Sequence, residues 1–149
     1  MRRFKFRLQT ALEVTRRRED VLYQELKKRQ AAYQQAAEEL SRLQKLHAKL
    51  AEDLNRSCRE GLAAEMIRLF KNYMQVLEEE LKQQKTAVDR KKAELERCRA
   101  ELLFYMKKRK VMEKLRQRRW EEYCYWLQRE EQKELDETAA SRFIANQEA

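Results

Sequence analysis

The sequence predicts an all-α fold: two long helices forming an antiparallel coiled-coil hairpin, with the second helix the longer. Three observations lead there. The 149 residues contain no proline and one glycine, Gly61, which argues against loop-rich or β architecture. Glu, Lys, Arg, Gln, Leu and Ala, all strong helix formers, dominate the rest. Apolar residues recur at alternating spacings of 4 and 3 on both sides of the segment Asn55–Gly61, NRSCREG, which holds that glycine. This segment reads as the tip of the hairpin.

The first arm, about residues 3–55, carries the repeat without a slip at Leu8, Leu12, Thr15, Glu19, Leu22, Leu26, Arg29, Tyr33, Ala36, Leu40, Leu43, His47, Leu50 and Leu54. A repeat held over so many heptads marks a coiled-coil seam rather than one amphipathic surface helix. Thr15, Glu19, Arg29 and His47 interrupt it and help set its register. His47 is the only histidine. With no complementary chemistry near it in the pattern, it is expected as a seam or flank residue rather than a ligand.

After the tip at residues 56–61 the pattern restarts over the second arm, about 62–140. Its positions are Ile67, Phe70, Met74, Leu77, Leu81, Gln84, Val88, Lys91, Leu95, Cys98, Leu102, Tyr105, Arg109, Met112 and Arg116. The phase then drifts towards Val111, Leu115, Trp120, Tyr123, Trp126 and Leu127, the signature of a stutter. Folding back at about residue 59 puts Leu8 near Lys110 and Leu54 near Ala64. The paired region is then ~50 residues, or ~75 Å at the helical rise. The second arm overhangs, and an unpaired helix needs a partner for its apolar side. The segment beyond residue 140 is left as a tail outside the helix.

Composition narrows the function classes. Charged residues make up 41% and hydrophobic residues 42%, too little apolar volume for a wide core but enough for a narrow two-helix seam. Cys58, Cys98 and Cys124 are odd in number and widely spaced, which fits reduced thiols in a cytosolic protein better than a disulfide framework. No apolar run approaches 18 residues, so no transmembrane helix is expected, and the basic start MRRFKFRLQTALEV lacks the apolar stretch of a secretory signal. There is no glycine-rich phosphate loop, no Ser/His/Asp grouping and no metal-ligand spacing. Neither catalysis, nor a cofactor, nor a small-molecule substrate is expected.

The charge pattern carries the functional reading. Residues 1–18 hold seven basic groups against one acid, and residues 106–119 hold eight against one. The whole chain is +9, so these two runs carry more than all of its net charge. The hairpin brings them side by side. Exposed like charges are screened beyond about 8–10 Å, so a solvated repulsive face is tolerable. Such convergence nevertheless favours a binding role, towards an acidic protein surface ahead of nucleic acid. For nucleic acid, Phe104, Tyr105 and Trp120 could stack on bases, but no DNA-binding motif is present. Residues 120–137 then reverse sign, with seven acids against Arg129 and Lys133. Beside that switch Trp120, Tyr123, Trp126 and Leu127 form a stripe. It reads equally as a protein interface and as packing on Phe4 and Phe6.

Two end segments resemble one family. The opening FKFRLQTALEVTRRRED, Phe4 to Asp20, is similar to the start of the flagellar export protein FliJ. The closing KKRKVMEKLRQRRWEEYCYWLQREEQKELDETAASRF, Lys107 to Phe143, is similar to that family's C-terminal region. The basic run before Glu113, Lys114 and Leu115, and the later Leu135, Asp136 and Glu137, are its most recognisable parts. Gly61, Tyr73, Leu77 and Leu81 also fit. The stalk proteins of injectisomes are the nearest related family.

The resemblance implies a non-catalytic stalk component of the type III export apparatus beneath the flagellar base, cytoplasmic and peripherally associated with the inner membrane. Its implied partners are the export ATPase hexamer, the cytoplasmic domain of the export gate protein and export chaperones. It places ATPase contact on Arg2, Arg3, Phe4, Phe6, Arg7, Lys107, Lys108, Arg109, Arg116, Arg118 and Arg119. It places gate contact on Leu43, Leu46, Leu50, Tyr73, Leu77 and Gln84. Leu46 lies off the seam and is expected to be exposed. Leu43, Leu50 and Leu77 are seam positions, for which core packing is the favoured reading.

Overall fold

The computed structural model describes residues 3–147. It contains two helices, α1 (Gln9–Arg59) and α2 (Ala64–Gln147), which form the expected antiparallel hairpin with α2 longer. Among the described residues there is no strand.

The turn shows why the chain reverses where it does. α1 runs on through Asn55 to Arg59, into the expected break, so the connection is only residues 60–63. Gly61 has φ +82°, the left-handed conformation that glycine adopts without steric penalty. The Leu62 amide donates to the Ser57 carbonyl at 3.2 Å, the long bond that closes a glycine-terminated helix. Arg56 and Arg59 lie in the last turn of α1, where cations complement the helix dipole. The next helix opens with Ala63, whose carbonyl accepts from Met66 at 3.0 Å and Ile67 at 3.2 Å.

Residues 20–103 make one compact unit and the two ends of the chain another. In the unit of residues 20–103 the core is a file of seam residues: Leu22, Ala36, Leu43, Leu77, Leu95, Cys98 and Leu102. Full burial of a leucine such as Leu22 is worth about 1.5–3 kcal/mol. Polar seam positions bond across the helices. Gln84 Nε2 donates to the Ala36 carbonyl at 3.0 Å, and the Cys98 thiol lies 3.8 Å from the Leu22 carbonyl. His47 Nε2 is 3.5 Å from Glu78 Oε1, a flank contact of the kind expected for it.

The other unit joins residues up to 19 with residues from 104 onward. Leu12 is fully buried there and Thr15 nearly so. The Thr15 hydroxyl donates to the Ala11 carbonyl at 2.8 Å, which lets a polar side chain occupy a seam position. Thr15 also meets Met112 at 3.9 Å. Leu8 shares a groove with Leu115, so the expected pairing of Leu8 with Lys110 is wrong in register. The longer α1 and later turn are the cause. Of the expected drift towards Val111, Leu115, Trp120, Tyr123, Trp126 and Leu127, Val111 is not part, whereas Leu115 lines the groove with Leu8 and Tyr123 and Leu127 are half-buried. Val111 is exposed, while Arg109 and Met112 remain half-buried in the original phase. α2 continues past residue 140 to Gln147, with every residue from 131 to 147 exposed.

Candidate functional site

The candidate site is built from the residues that precede α1 and the later half of α2, all within one unit. Residues 3–6 are not helical; α1 begins only after the Gln9 amide has bonded back to the Phe6 carbonyl at 3.1 Å. This leaves Phe4 free to lie across α2. Its ring meets Trp120 edge-on, with centroids 5.1 Å apart, and Tyr123 at 5.6 Å. Tyr123 in turn stacks obliquely towards Trp126 at 6.3 Å. Such pairs are worth about 0.5–1.5 kcal/mol each beyond area burial. The aromatic stripe is thus packed on the N-terminal segment, one of its two expected readings. Trp120 and Trp126 still keep almost half of their surface open to solvent.

An open groove of about 1020 Å³ runs beside this cluster. Phe4, Phe6, Leu8, Leu115, Tyr123 and Trp126 form its apolar wall, and Arg3, Lys5, Arg7 and Arg119 supply cations, with Glu122 the one acid among the described lining residues. A second groove of about 440 Å³ lies between Phe4, Trp120, Arg116, Gln117 and Glu113. An apolar floor edged by cations can take an acidic segment with a large apolar side chain. The floor desolvates the side chain while the rim supplies charge-assisted hydrogen bonds.

Of the residues assigned to this site from sequence, Arg2 lies outside the described residues. Arg3, Arg7, Lys107, Lys108, Arg116, Arg118 and Arg119 are exposed, and Phe4 and Phe6 are half-buried. Arg119 also pairs with Glu122 at 3.0 Å, one turn on. Lys108 and Arg18 both approach the Tyr105 ring, at 6.0 and 5.9 Å.

Arg109 is set apart by its partners. It spans the two helices, donating to Glu19 at 2.6 and 3.3 Å and to Glu113 at 2.9 Å. Its side chain is 23% exposed, and that of Glu19 only 17%. The guanidinium titrates above its ordinary range because Glu19, then Glu113, accept its hydrogen bonds. Glu113 is held below the usual carboxylate value by Arg16 at 2.9 Å, then by Arg109. Arg109 is therefore an internal clamp, with little of it left to meet a partner.

The residues assigned to gate contact all lie in the unit of residues 20–103. Leu43 and Leu77 are buried in the seam, Leu50 is half-buried, and Gln84 is committed to the Ala36 carbonyl. Leu46 and Tyr73 are the exposed members, at 42% and 49%. Met66, Leu69 and Val76, which the sequence reading passed over, extend Tyr73 into an exposed apolar stripe. Each stands one residue before a seam position, so the same heptad count would have found them. Among the described residues no three His, Cys, Asp or Glu side chains could hold a metal ion. Among them, too, no helix is long and apolar enough to cross a membrane.

The family model described as "Flagellar FliJ protein" matches residues 4–148. The chain belongs to the FliJ family. The match takes in both the segment around Phe4 and the α2 region it packs on, so the candidate site lies wholly within family sequence save for Arg2 and Arg3. No curated protein and no solved structure matched the chain. FliJ membership gives the chain a role connected with flagellar protein export and an association with the flagellar export apparatus.

Proposed function

We propose that this FliJ-family chain is a non-catalytic stalk and coupling component of the flagellar export apparatus, acting in the cytoplasm at the inner face of the membrane. Its cation-rimmed aromatic groove docks on the export ATPase ring. The observation that carries this reading is the convergence of Arg3, Arg7 and Arg119 around the groove beside Phe4, contributed by two segments remote in sequence. Opposite charge on a partner would steer the encounter, and the apolar floor would hold it. Arg109 is removed from the docking set because its donors are already engaged.

For the export gate protein, Leu46 and Tyr73 are the docking residues, with Met66, Leu69 and Val76 beside Tyr73 as the rest of the apolar contact. Leu43, Leu50, Leu77 and Gln84 act by packing the seam. Export chaperones are the third class of partner, for which no particular residue is singled out.

The test is ATPase stimulation by the wild-type chain and by an Arg116→Glu/Arg118→Glu/Arg119→Glu variant. All three side chains are exposed, so the helical signal and melting curve should be retained. Stimulation is expected to be lost. Full stimulation by the charge-reversed variant would refute docking through this groove. A Leu46→Glu/Tyr73→Glu variant should keep ATPase stimulation and lose capture by the gate's cytoplasmic domain.

A further inference from the structure

We propose that a second copy of this chain docks antiparallel along α2, around a two-fold axis near Tyr125. The overhanging end of each helix then covers an exposed apolar face of the other copy.

Two apolar surfaces in the same unit motivate this. Phe104, Val111 and Leu115 are 60%, 58% and 41% exposed at spacings of seven and four, which puts them on one face of α2. Leu135 and Phe143 are 64% and 63% exposed at the i, i+8 spacing of one helix face, on a stretch where every described residue of α2 is exposed. Most helical stability in proteins comes from packing an apolar side, and this stretch has no such packing among the described residues. The two surfaces lie about equally far on either side of Tyr125, itself 62% exposed. A two-fold axis there exchanges them, as a self-complementary interface requires.

Charge selects this occupant. Residues 106–119 carry eight basic groups and one acid, whereas residues 120–137 carry seven acids and two basic groups. In an antiparallel pair the basic block of each copy faces the acidic block of the other, twice over. In a parallel pair like faces like, at a cost. Arg116 and Arg119 of one copy then stand against the stretch holding Glu131 and Glu134 of the other. The pairing is independent of the ATPase reading. It occupies some of the same cations, so dimer formation and ATPase docking would compete.

Sedimentation equilibrium at low ionic strength and high micromolar concentration is expected to give twice the 18.3 kDa chain mass. A monomer under those conditions would overturn the proposal. Arg116→Glu/Arg119→Glu in one chain, or Glu131→Lys/Glu134→Lys in another, should each give a monomer, because at both symmetry-related contacts the substituted residues then face their own sign, glutamate against glutamate or lysine against arginine. Mixing the two variants should restore a dimer containing one of each. Dimers that persist in both separate variants would also overturn it. All four side chains are largely exposed, so an unchanged melting curve separates lost pairing from lost folding.

Discussion

Replacing Arg109 by methionine keeps the aliphatic stem in the seam and removes the hydrogen-bond donors. The structure sets the size of the effect. Arg109 makes three charge-assisted bonds to two carboxylates, with its own side chain 23% exposed. Bonds to charged groups contribute about 1.5–3 kcal/mol when buried. Exposed pairs contribute about 0–1 kcal/mol. Part-burial places this clamp between them, at about 1–2 kcal/mol, because Glu19 loses both bonds while Glu113 keeps Arg16. For a chain of this length that corresponds to a fall of roughly 3–6 °C in Tm. The assay is a thermal melt followed by helical circular dichroism, with exposed Arg118→Met as the control, expected within about 0.5 kcal/mol of wild type. If the two variants melt alike, Arg109 is one more surface cation and its removal from the docking set is wrong.

Three further outcomes follow from the same structure. Leu22→Ala, at a fully buried position, should cost about 2–5 kcal/mol in urea denaturation, while Leu69→Ala at a largely exposed one should be nearly silent. Gly61→Ala should cost about 1–2 kcal/mol through backbone conformation alone, since φ is +82° and nothing lies within 4 Å of the added methyl. An unchanged urea midpoint would contradict the observed turn. The carboxyl of Glu113 titrates below its usual 4.5 in the folded chain, so its contribution is complete above that pH and is lost as pH falls through the lowered value. Stability measured from neutral to acid pH should therefore fall less in Glu113→Gln than in wild type, and only in the acid range.

Much of the fold was legible because a two-helix seam repeats one simple demand. Leu12, Leu22, Leu95 and Leu102 announced themselves by spacing, and all are buried. Of the seam positions read from the pattern, Leu8, Arg29, Lys91 and Arg116 stand exposed. The turn was misplaced because Asn55, Ser57 and Cys58 are weak helix formers that a helix already nucleated can absorb. The reversal waited for Gly61 and its positive φ. The register followed that error. A few residues' change in where α1 stops moves every cross-helix partner, which is why Leu8 shares a groove with Leu115 rather than with Lys110.

Composition and heptad spacing were enough to dictate two helices, their antiparallel return, the buried leucines and the meeting of two basic runs. Each depends on neighbours along the chain or on a period that any long helix must obey. The separate fates of Arg109 and Arg118 were not legible in that way. Both are arginines of the same basic run, and only the approach of Glu19 from the other helix makes one a clamp and leaves the other open. The placing of Phe4 against Trp120 and Tyr123 is of the same kind. Contacts between segments remote in sequence depend on the angle and register at which two helices meet, and these arise from the packing of the whole seam.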